Sequence, residues 1–453
     1  MSEKQMPSCM RRKERRKPRN KKFGNLLLEE NPNNIMKKIT TMHDLIRAFA
    51  NAMNLISPEL ENHHERVAYL AYTLADTMGL SSKQKRIAAY GALLHDIGSV
   101  MAEGQLSLLD LEMKPRYLAK SGSVLLKKSP LTSSLSDIIG DSQTPWESLK
   151  KSMFTIGKSF LIPQIIHLAD AVSLLFKEGE PVLNQLPFIR ECIYQVGEKK
   201  FHPEVLKAFD ELCGLEAVWM NLLYYPQSML EQVFENHEVS LEEALELTEF
   251  MSHIIDFRSP FTAMHSAGVA QTAECLAKAF GMSAEECRMM RLAGHLHDIG
   301  KLKIPKEILE KPGKLTDSEF NVMKEHVYYT YVILKDISGF EQITDWAALH
   351  HEKLNGKGYP FHLEPERIPL GSRIMAVADI FSAITEERPY RKGMGREQVF
   401  DVLRGDVEKG ALSGSIVELL LDNYEEIDGK RAEASRKASS RYQEMLKKNE
   451  KEA

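Results

Sequence analysis

Shifted by 202 positions, the chain lies over itself. The stretch HERVAYLAYTLADTMGLSSKQKRIAAYGALLHDIG, preceded by His63 and ending at Gly98, falls on HSAGVAQTAECLAKAFGMSAEECRMMRLAGHLHDIG, which begins at His265 and ends at Gly300. His63 meets His265, Val67 meets Val269, Gly79 meets Gly281, and His95–Asp96 meet His297–Asp298. A register kept without a gap over this length indicates an internal duplication. Further on, IIHLADAVSLL at 165–175 parallels IMAVADIFSAI at 374–384, pairing Asp170 with Asp379 at a shift that has grown to 209. Apolar residues recur at three and four, as in Val67, Leu70, Ala71, Leu74 and Ala75, which predicts amphipathic helix rather than strand. The expectation is an all-α protein of two helical lobes, at 36–215 and 242–428. A helical connector at 216–241 joins them, an arm at 1–35 precedes them, and a charged, frayed, solvent-facing helix at 429–453 follows.

Composition narrows the function. The 453 residues are 43% apolar and 27% charged, as in a soluble globular protein, and contain no apolar run long enough to span a bilayer. The N-terminus lacks a secretory core, so the cytoplasm is expected. Cys9, Cys192, Cys213, Cys275 and Cys287 are scattered and read as reduced thiols. Net charge is −5, which gives no reason to expect nucleic acid as the main partner, although residues 11–22 set nine basic side chains against Glu14. Such a block cannot bury a core and reads as a disordered arm.

The second lobe concentrates metal-binding side chains. His265, His297 and Asp298 of HDIGK, His326, the pair His350–His351, and Asp379 supply five imidazoles and two carboxylates. Two ions would absorb these seven groups and one could not. Imidazole with carboxylate suits iron, manganese, zinc or nickel. On a helix, His297 and Lys301 would share a face, placing the lysine to meet a phosphate oxygen. Two consecutive histidines reach the interior together if their helix ends there, and Gly356, Gly358 and Pro360 form a loop beyond them. Asp379 lies in an otherwise apolar helix, where an unpaired carboxylate is costly. A paired centre of this kind suits hydrolysis of a phosphate ester by a hydroxide bridging two metals.

The second lobe resembles an HD-GYP domain, the branch of the HD superfamily that hydrolyses cyclic dinucleotides in bacterial second-messenger signalling. RSPFTAMHS, LHDIGKLKIPKEILEKPGKLT, KEH, HHEKLNGKGYP, ERIPLGSRIMAVAD and ERPYRKG, within 257–395, carry the resemblance. It implies two ions, often iron or manganese, on His265, His297, Asp298, His326, His350, His351 and Asp379, with Asp298 bridging. Lys301, Arg388 and Arg391 match phosphate-contacting residues of the family, and Gly358 and Tyr359 belong to the GYP loop on the substrate side. Three departures stand out: Phe261 replaces a glutamate that can hold a third ion, and Asn355 and Ser382 each replace an aspartate. The first lobe keeps His63, His95, Asp96 and Asp170, the ligand set of a plain HD domain with one metal, which leaves it a metal-free scaffold, a structural or regulatory metal site, or a second active centre. Ser99 stands there in place of Lys301, and His64 reads as a solvent-facing bystander. Tandem chains of this layout are associated with cyclic di-GMP or 3′,3′-cyclic GMP-AMP, opened to a linear dinucleotide and then to mononucleotides. A non-catalytic cyclic dinucleotide sensor, and an HD phosphohydrolase acting on another nucleotide, are the rival readings. The apolar run at 218–225 could be interlobe core or the seam of a homodimer.

Overall fold

In the computed structural model the described residues are 38–55, 62–101, 114–127, 129, 131–150, 161–177, 179–231, 234, 237–258, 264–387 and 392–452. The basic arm, Phe261, Arg388 and Arg391 lie outside them. Among the described residues the regular elements are helices, apart from one antiparallel pair of strands, Lys38–Thr41 against Glu238–Ser240. The pairing sets Lys38 opposite Ser240 and Thr41 opposite Glu238, so it ties together the entrances of both lobes. Each strand runs into a capped helix. Thr41 Oγ1 accepts from Asp44 N ahead of Met42–Asn54, and Ser240 Oγ accepts from Glu243 N ahead of Leu241–Arg258. Caps of this type contribute about 1 kcal/mol each. The Leu241–Arg258 helix packs against the turns that follow both His-Asp pairs, and one apolar core runs through both lobes.

The duplication is visible in backbone detail. Gly79 and Gly281 both take left-handed conformations, at φ +67° and +88°, which close the helices His63–Thr77 and His265–Ala279. Capping boxes then open Ser82–Leu93 with Ser81 and Gln84, and Ala284–Leu296 with Ser283 and Glu286. Both of these helices give way to 3₁₀ turns, Ile97–Met101 and Ile299–Lys303. A Cβ on Gly98 would lie 2.0 Å from Leu118 O, and one on Gly300 would lie 1.9 Å from His326 O. Only glycine admits that approach, and it aligns Leu118 with His326 at a shift of 208. The same shift relates Ser133–Asp141 to Glu341–Ala348, and 209 relates Leu161–Leu175 to Leu370–Thr385. Most of the extra length of the second copy therefore enters just after its 3₁₀ turn.

Two expectations change here. The last helix, Tyr424–Glu452, is not simply solvent-facing: Arg431, Ser435 and Ala438 are buried. Ser435 Oγ donates to Met264 O at 2.9 Å, and Gly268 on the His265 helix leaves the room, since a Cβ there would meet Ser435 Oγ at 2.8 Å. The connector forms the helices Glu216–Tyr224 and Pro226–Glu231, with Trp219 and Leu222 fully buried and Met220, Tyr224 and Tyr225 exposed. Its apolar run is thus divided between core and surface. No helix among the described residues is long and apolar enough to cross a membrane.

Candidate metal centre

His297, His326 and His350 are each oriented by the same device. Their Nδ1 atoms donate to backbone carbonyls three residues earlier: Gly294 at 2.8 Å, Met323 at 2.6 Å and Ala347 at 2.6 Å. That bond fixes the tautomer and leaves the Nε2 lone pair free. All three Nε2 atoms are buried and make no hydrogen bond. Buried polar atoms normally find a partner, and three inward-facing lone pairs beside two carboxylates are what divalent ions require. The residues fit the metals that their pattern implied.

The donor atoms fall into overlapping groups. His265, His297 and Asp379 form one, His326, His350 and His351 another, and Asp298 joins His297 and His350 in a third. His265 Nε2 lies 3.0 Å from Asp379 Oδ1. Asp298 spans the groups: its Oδ2 is 3.2 Å from His297 Nε2 and 3.9 Å from His265 Nε2, while its Oδ1 is 3.4 Å from His326 Nε2. The His350 and His351 rings sit with centroids 4.1 Å apart because the helix Glu341–Ala348 ends just before them. All seven ligands proposed from the sequence come together here.

The electrostatics are those of a cation site. Burial holds His326 down at about 4 and His350 at about 3, and pushes His351 well below the ordinary imidazole range. Burial would also lower His265, but the carboxylates of Glu386 and Asp379 outweigh it and raise the imidazole to about 10. Asp298 stays ionised despite burial because His297, Lys301 and His326 surround it, and Asp379 does so beside His265, His351 and His350.

Lys301 corrects the helical argument. The α-helix stops at Leu296, so Lys301 belongs to a 3₁₀ turn rather than the next helical turn, and its Nζ donates to Asp298 Oδ2 at 2.5 Å. The sequence reading also missed Glu386, whose carboxylate accepts from His265 Nδ1 at 3.2 Å to each oxygen. Its signal was present: Glu386 follows Asp379 by seven residues, two helical turns along one face. Glu352 was missed as well. Buried, it accepts from Phe361 N, His362 N and Leu363 N and so shapes the loop that sets Tyr359 beside His351, ring centroids 4.9 Å apart. Gly358 lies in that loop against Glu352 and Lys353, too close for a side chain.

HD-domain family models match residues 60–175 and 249–411. The chain is 30% identical to the 3′3′-cGAMP-specific phosphodiesterase 1 of Vibrio cholerae serotype O1 over 83% of its own length and 90% of that protein. The chain belongs to the tandem HD-domain phosphodiesterases of HD-GYP type. The cyclic di-GMP phosphodiesterase response regulator RpfG of Xanthomonas campestris pv. campestris is 38% identical over 39% of this chain, a match covering 46% of that protein. The fold is that of a solved cyclic GMP-AMP specific phosphodiesterase of V. cholerae, with a TM-score of 0.61 at 19% identity, covering 85% of this chain and 98% of that one.

Two departures from the HD-GYP pattern leave the centre intact. Asn355 Nδ2 donates to Lys409 O and its Oδ1 accepts from Lys357 N, so it serves the turn. Ser382 is buried with an Oγ that makes no hydrogen bond among the described residues, while Glu386 supports His265.

In the first HD lobe, Asp170 Oδ1 lies 3.2 Å from His63 Nε2 and 3.4 Å from His95 Nε2, and Asp96 Oδ2 lies 3.3 Å from His95 Nε2. His95 Nδ1 donates to Ala92 O at 2.8 Å, as His297 does to Gly294. His64 is not a solvent-facing bystander. It is 1% exposed, and burial together with His95 and His63 holds it well below the usual imidazole range. The first turn of its helix is covered by the connector helix Pro226–Glu231, whose Gln227 donates to Glu65.

Proposed function

We propose that the second lobe hydrolyses a cyclic dinucleotide, 3′,3′-cyclic GMP-AMP in preference to cyclic di-GMP, to the linear dinucleotide and then to mononucleotides. The observation that carries this reading is the pair of ligand groups joined by Asp298, with orphaned Nε2 atoms turned inward. The preference for the mixed ring rests on the relative whose match runs through both lobes, whose name gives 3′3′-cGAMP as its substrate.

His265, His297 and Asp379 would hold one divalent transition ion, His326, His350 and His351 a second, with Asp298 shared. Iron and manganese suit this mixture of imidazole and carboxylate best, and zinc or nickel is chemically admissible. The ions would supply the charge that draws in the phosphodiester and lowers the pKa of water. Lys301 leaves Asp298 for a non-bridging phosphate oxygen as charge builds there. Arg388 and Arg391, outside the described residues, are proposed as further phosphate contacts, and Gly358 and Tyr359 as the wall against which a nucleotide lies. The reaction belongs in the cytoplasm, where such rings are made and read. The exposed Met220, Tyr224 and Tyr225 are the proposed seam of a homodimer.

The test is competitive turnover of 3′,3′-cyclic GMP-AMP, cyclic di-GMP and cyclic di-AMP by protein loaded anaerobically with iron or manganese, with products separated by chromatography. The mixed ring should be opened fastest. If a ring binds tightly and none is cut, the chain is a sensor and the catalytic reading fails.

A further inference from the structure

The two lobes are covered differently beside the first histidine of each. In the second lobe that flank is filled: a Cβ on Gly268 would meet Ser435 Oγ of the last helix at 2.8 Å, Arg431 Cγ at 3.4 Å and Glu386 Oε1 at 3.5 Å. At the shifts of 202 and 209 that relate the copies, Arg66 stands where Gly268 is, and Lys177 where Glu386 is. A glycine and a carboxylate are replaced by two cations. The support that Glu386 gives His265 comes to His63 from Ser173 instead, whose Oγ lies 3.1 Å from His63 Nδ1. Its counterpart Ser382 has an Oγ with no hydrogen bond among the described residues. Lys177 is therefore not required to orient His63.

What the two cations do instead is line a cavity of about 470 Å³, together with Phe176, Pro181, Leu223 and Tyr224. Small-ligand sites span roughly 300–1,000 Å³. Glu180 lines the cavity too, yet among the described residues neither cation forms an ion pair with it or with another acid. Arg66 Nε is buried with no hydrogen-bond partner, a state that buried donors rarely keep. The segment carrying Lys177 is held from below by a buried amide. Lys177 N donates to Gln185 Oε1 at 2.8 Å, and Gln185 Nε2 donates to Lys177 O at 3.1 Å and to Glu180 O at 3.0 Å. Phe176 is fixed against Trp219, ring centroids 6.1 Å apart.

Two unpaired cations with an apolar lining select a ligand that is anionic at one end and flat and apolar at the other. A guanidinium takes phosphate oxygens in pairs, and an ammonium meets them as a point charge. A phosphomonoester carries close to two negative charges at neutral pH and so matches the pair, whereas each diester of a closed ring carries one.

We propose that this cavity of the first lobe binds a nucleotide with a terminal phosphate, the phosphate on Arg66 and Lys177 and the base against Phe176, Pro181 and Leu223. Tyr224, assigned above to the dimer seam, is left at the rim. Linear dinucleotide and mononucleotide both carry such a phosphate, so the cavity is a site for the products of ring opening. That source rests on the reaction proposed for the second lobe; the binding itself does not.

Equilibrium dialysis of the full, metal-loaded chain tests this with GMP, guanosine, inorganic phosphate, and a linear dinucleotide and its ring, both with phosphorothioate linkages that resist cleavage. The parent should bind one equivalent of GMP or linear dinucleotide more than a chain carrying Arg66→Met and Lys177→Met. Each single change should weaken that equivalent at least about tenfold, and His297→Ala, in the other lobe, should leave it in place. The tighter of GMP and linear dinucleotide names the source. Thermal melting checks that each variant folds, and photolabelling of the unsubstituted chain with 8-azido-GMP needs no variant: the label should fall within 161–199 or 216–224 and be displaced by GMP. Equal binding by the parent and the double variant would overturn the proposal, as would label found only elsewhere, or inorganic phosphate or the ring binding there as tightly as GMP. Ring hydrolysis is followed separately by product formation, so its failure with the extra equivalent still bound would count against the second lobe's reaction alone.

Discussion

Removing the Glu386 carboxylate should weaken metal binding at His265 by an amount that depends on pH. Both oxygens of Glu386 accept from His265 Nδ1 at 3.2 Å, which fixes a proton there and turns Nε2 toward Asp379. Loss of such a support costs ten- to a hundredfold in affinity, about 1.4–2.7 kcal/mol. A second effect opposes it. In the metal-free protein His265 is raised to about 10, so at pH 7 an ion must displace a proton held some three units above ambient, a penalty of about 4 kcal/mol. Glu386 contributes to that proton affinity, so its removal relieves part of the penalty. At equal distance a divalent ion gains about twice as much from the carboxylate as the proton does, so the ion loses more. For Glu386→Ala the loss should therefore be largest near pH 9 and smaller at pH 7. The parent's affinity should rise about tenfold per pH unit between 7 and 9, and the variant's should rise less steeply. Glu386→Gln should fall between. The same shift makes stability of the metal-free fold fully present below pH 6.5 and progressively lost as pH rises through 10. Chelator competition across pH 6.5–9 measures the affinities. An unchanged affinity at pH 9 together with an unchanged slope would refute the reasoning.

Three further outcomes are expected. Lys301→Met should keep both ions, because Lys301 pairs with Asp298 and is not itself a candidate ligand, yet lower kcat about a hundredfold through the lost phosphate contact; steady-state kinetics with elemental analysis separates the two effects. Asn355→Asp should change turnover less than about threefold, since the oxygen that accepts from Lys357 N is retained and only the Lys409 bond is lost, a change worth about 1 kcal/mol of loop stability by thermal melting. His167, buried edge-on to Phe201, is held at about 3 by burial and by Lys200. A folded-state pKa below the unfolded one means that the neutral ring's contribution is complete above pH 6.5 and shrinks as pH falls toward 3. The parent should lose about 2 kcal/mol from this group between pH 6.5 and 5, and denaturant titration of His167→Gln should show that part of the acid sensitivity gone.

What the sequence revealed divides along physical lines. The 202-residue shift was legible because helix caps and left-handed glycines are local devices: Ser81 with Gln84, Ser283 with Glu286, and Gly79 with Gly281 each carry their own signal within a few residues. The cluster of seven candidate ligands was legible because doubled histidines and a carboxylate in an apolar helix have no bland explanation as a set. Lys301 was misplaced because the helix-to-3₁₀ transition depends on Gly300 meeting His326 O, a contact between segments some 26 residues apart. His64 was misjudged because its partners come from other elements: Asn54 bonds its ring, and Gln227, far along the chain, bonds the adjacent Glu65. The burial of Arg431 and Ser435 was hidden for the same reason: a charged helix can still present one small-residue face, and nothing local says which partner offers a glycine to receive it.

The two lobes also separate what the scaffold demands from what the chemistry demands. Gly98 and Gly300 are both retained because the crossing at Leu118 O and His326 O leaves no room for a side chain in either copy. The Nδ1 bonds of His95 and His297 are both retained, so these two imidazoles are oriented by the same device in each lobe. The lobes diverge at Leu118, Ser142 and Gln143 against His326, His350 and His351, and at Ser99 against Lys301. Those replacements keep the packing, since Ser142 preserves the back-bond to the helix end and Leu118 stays buried. Gln143 Nε2 donates to Asp170 Oδ2 at 2.7 Å. That hydrogen bond keeps the carboxylate satisfied where the three imidazoles of the other lobe have no counterpart.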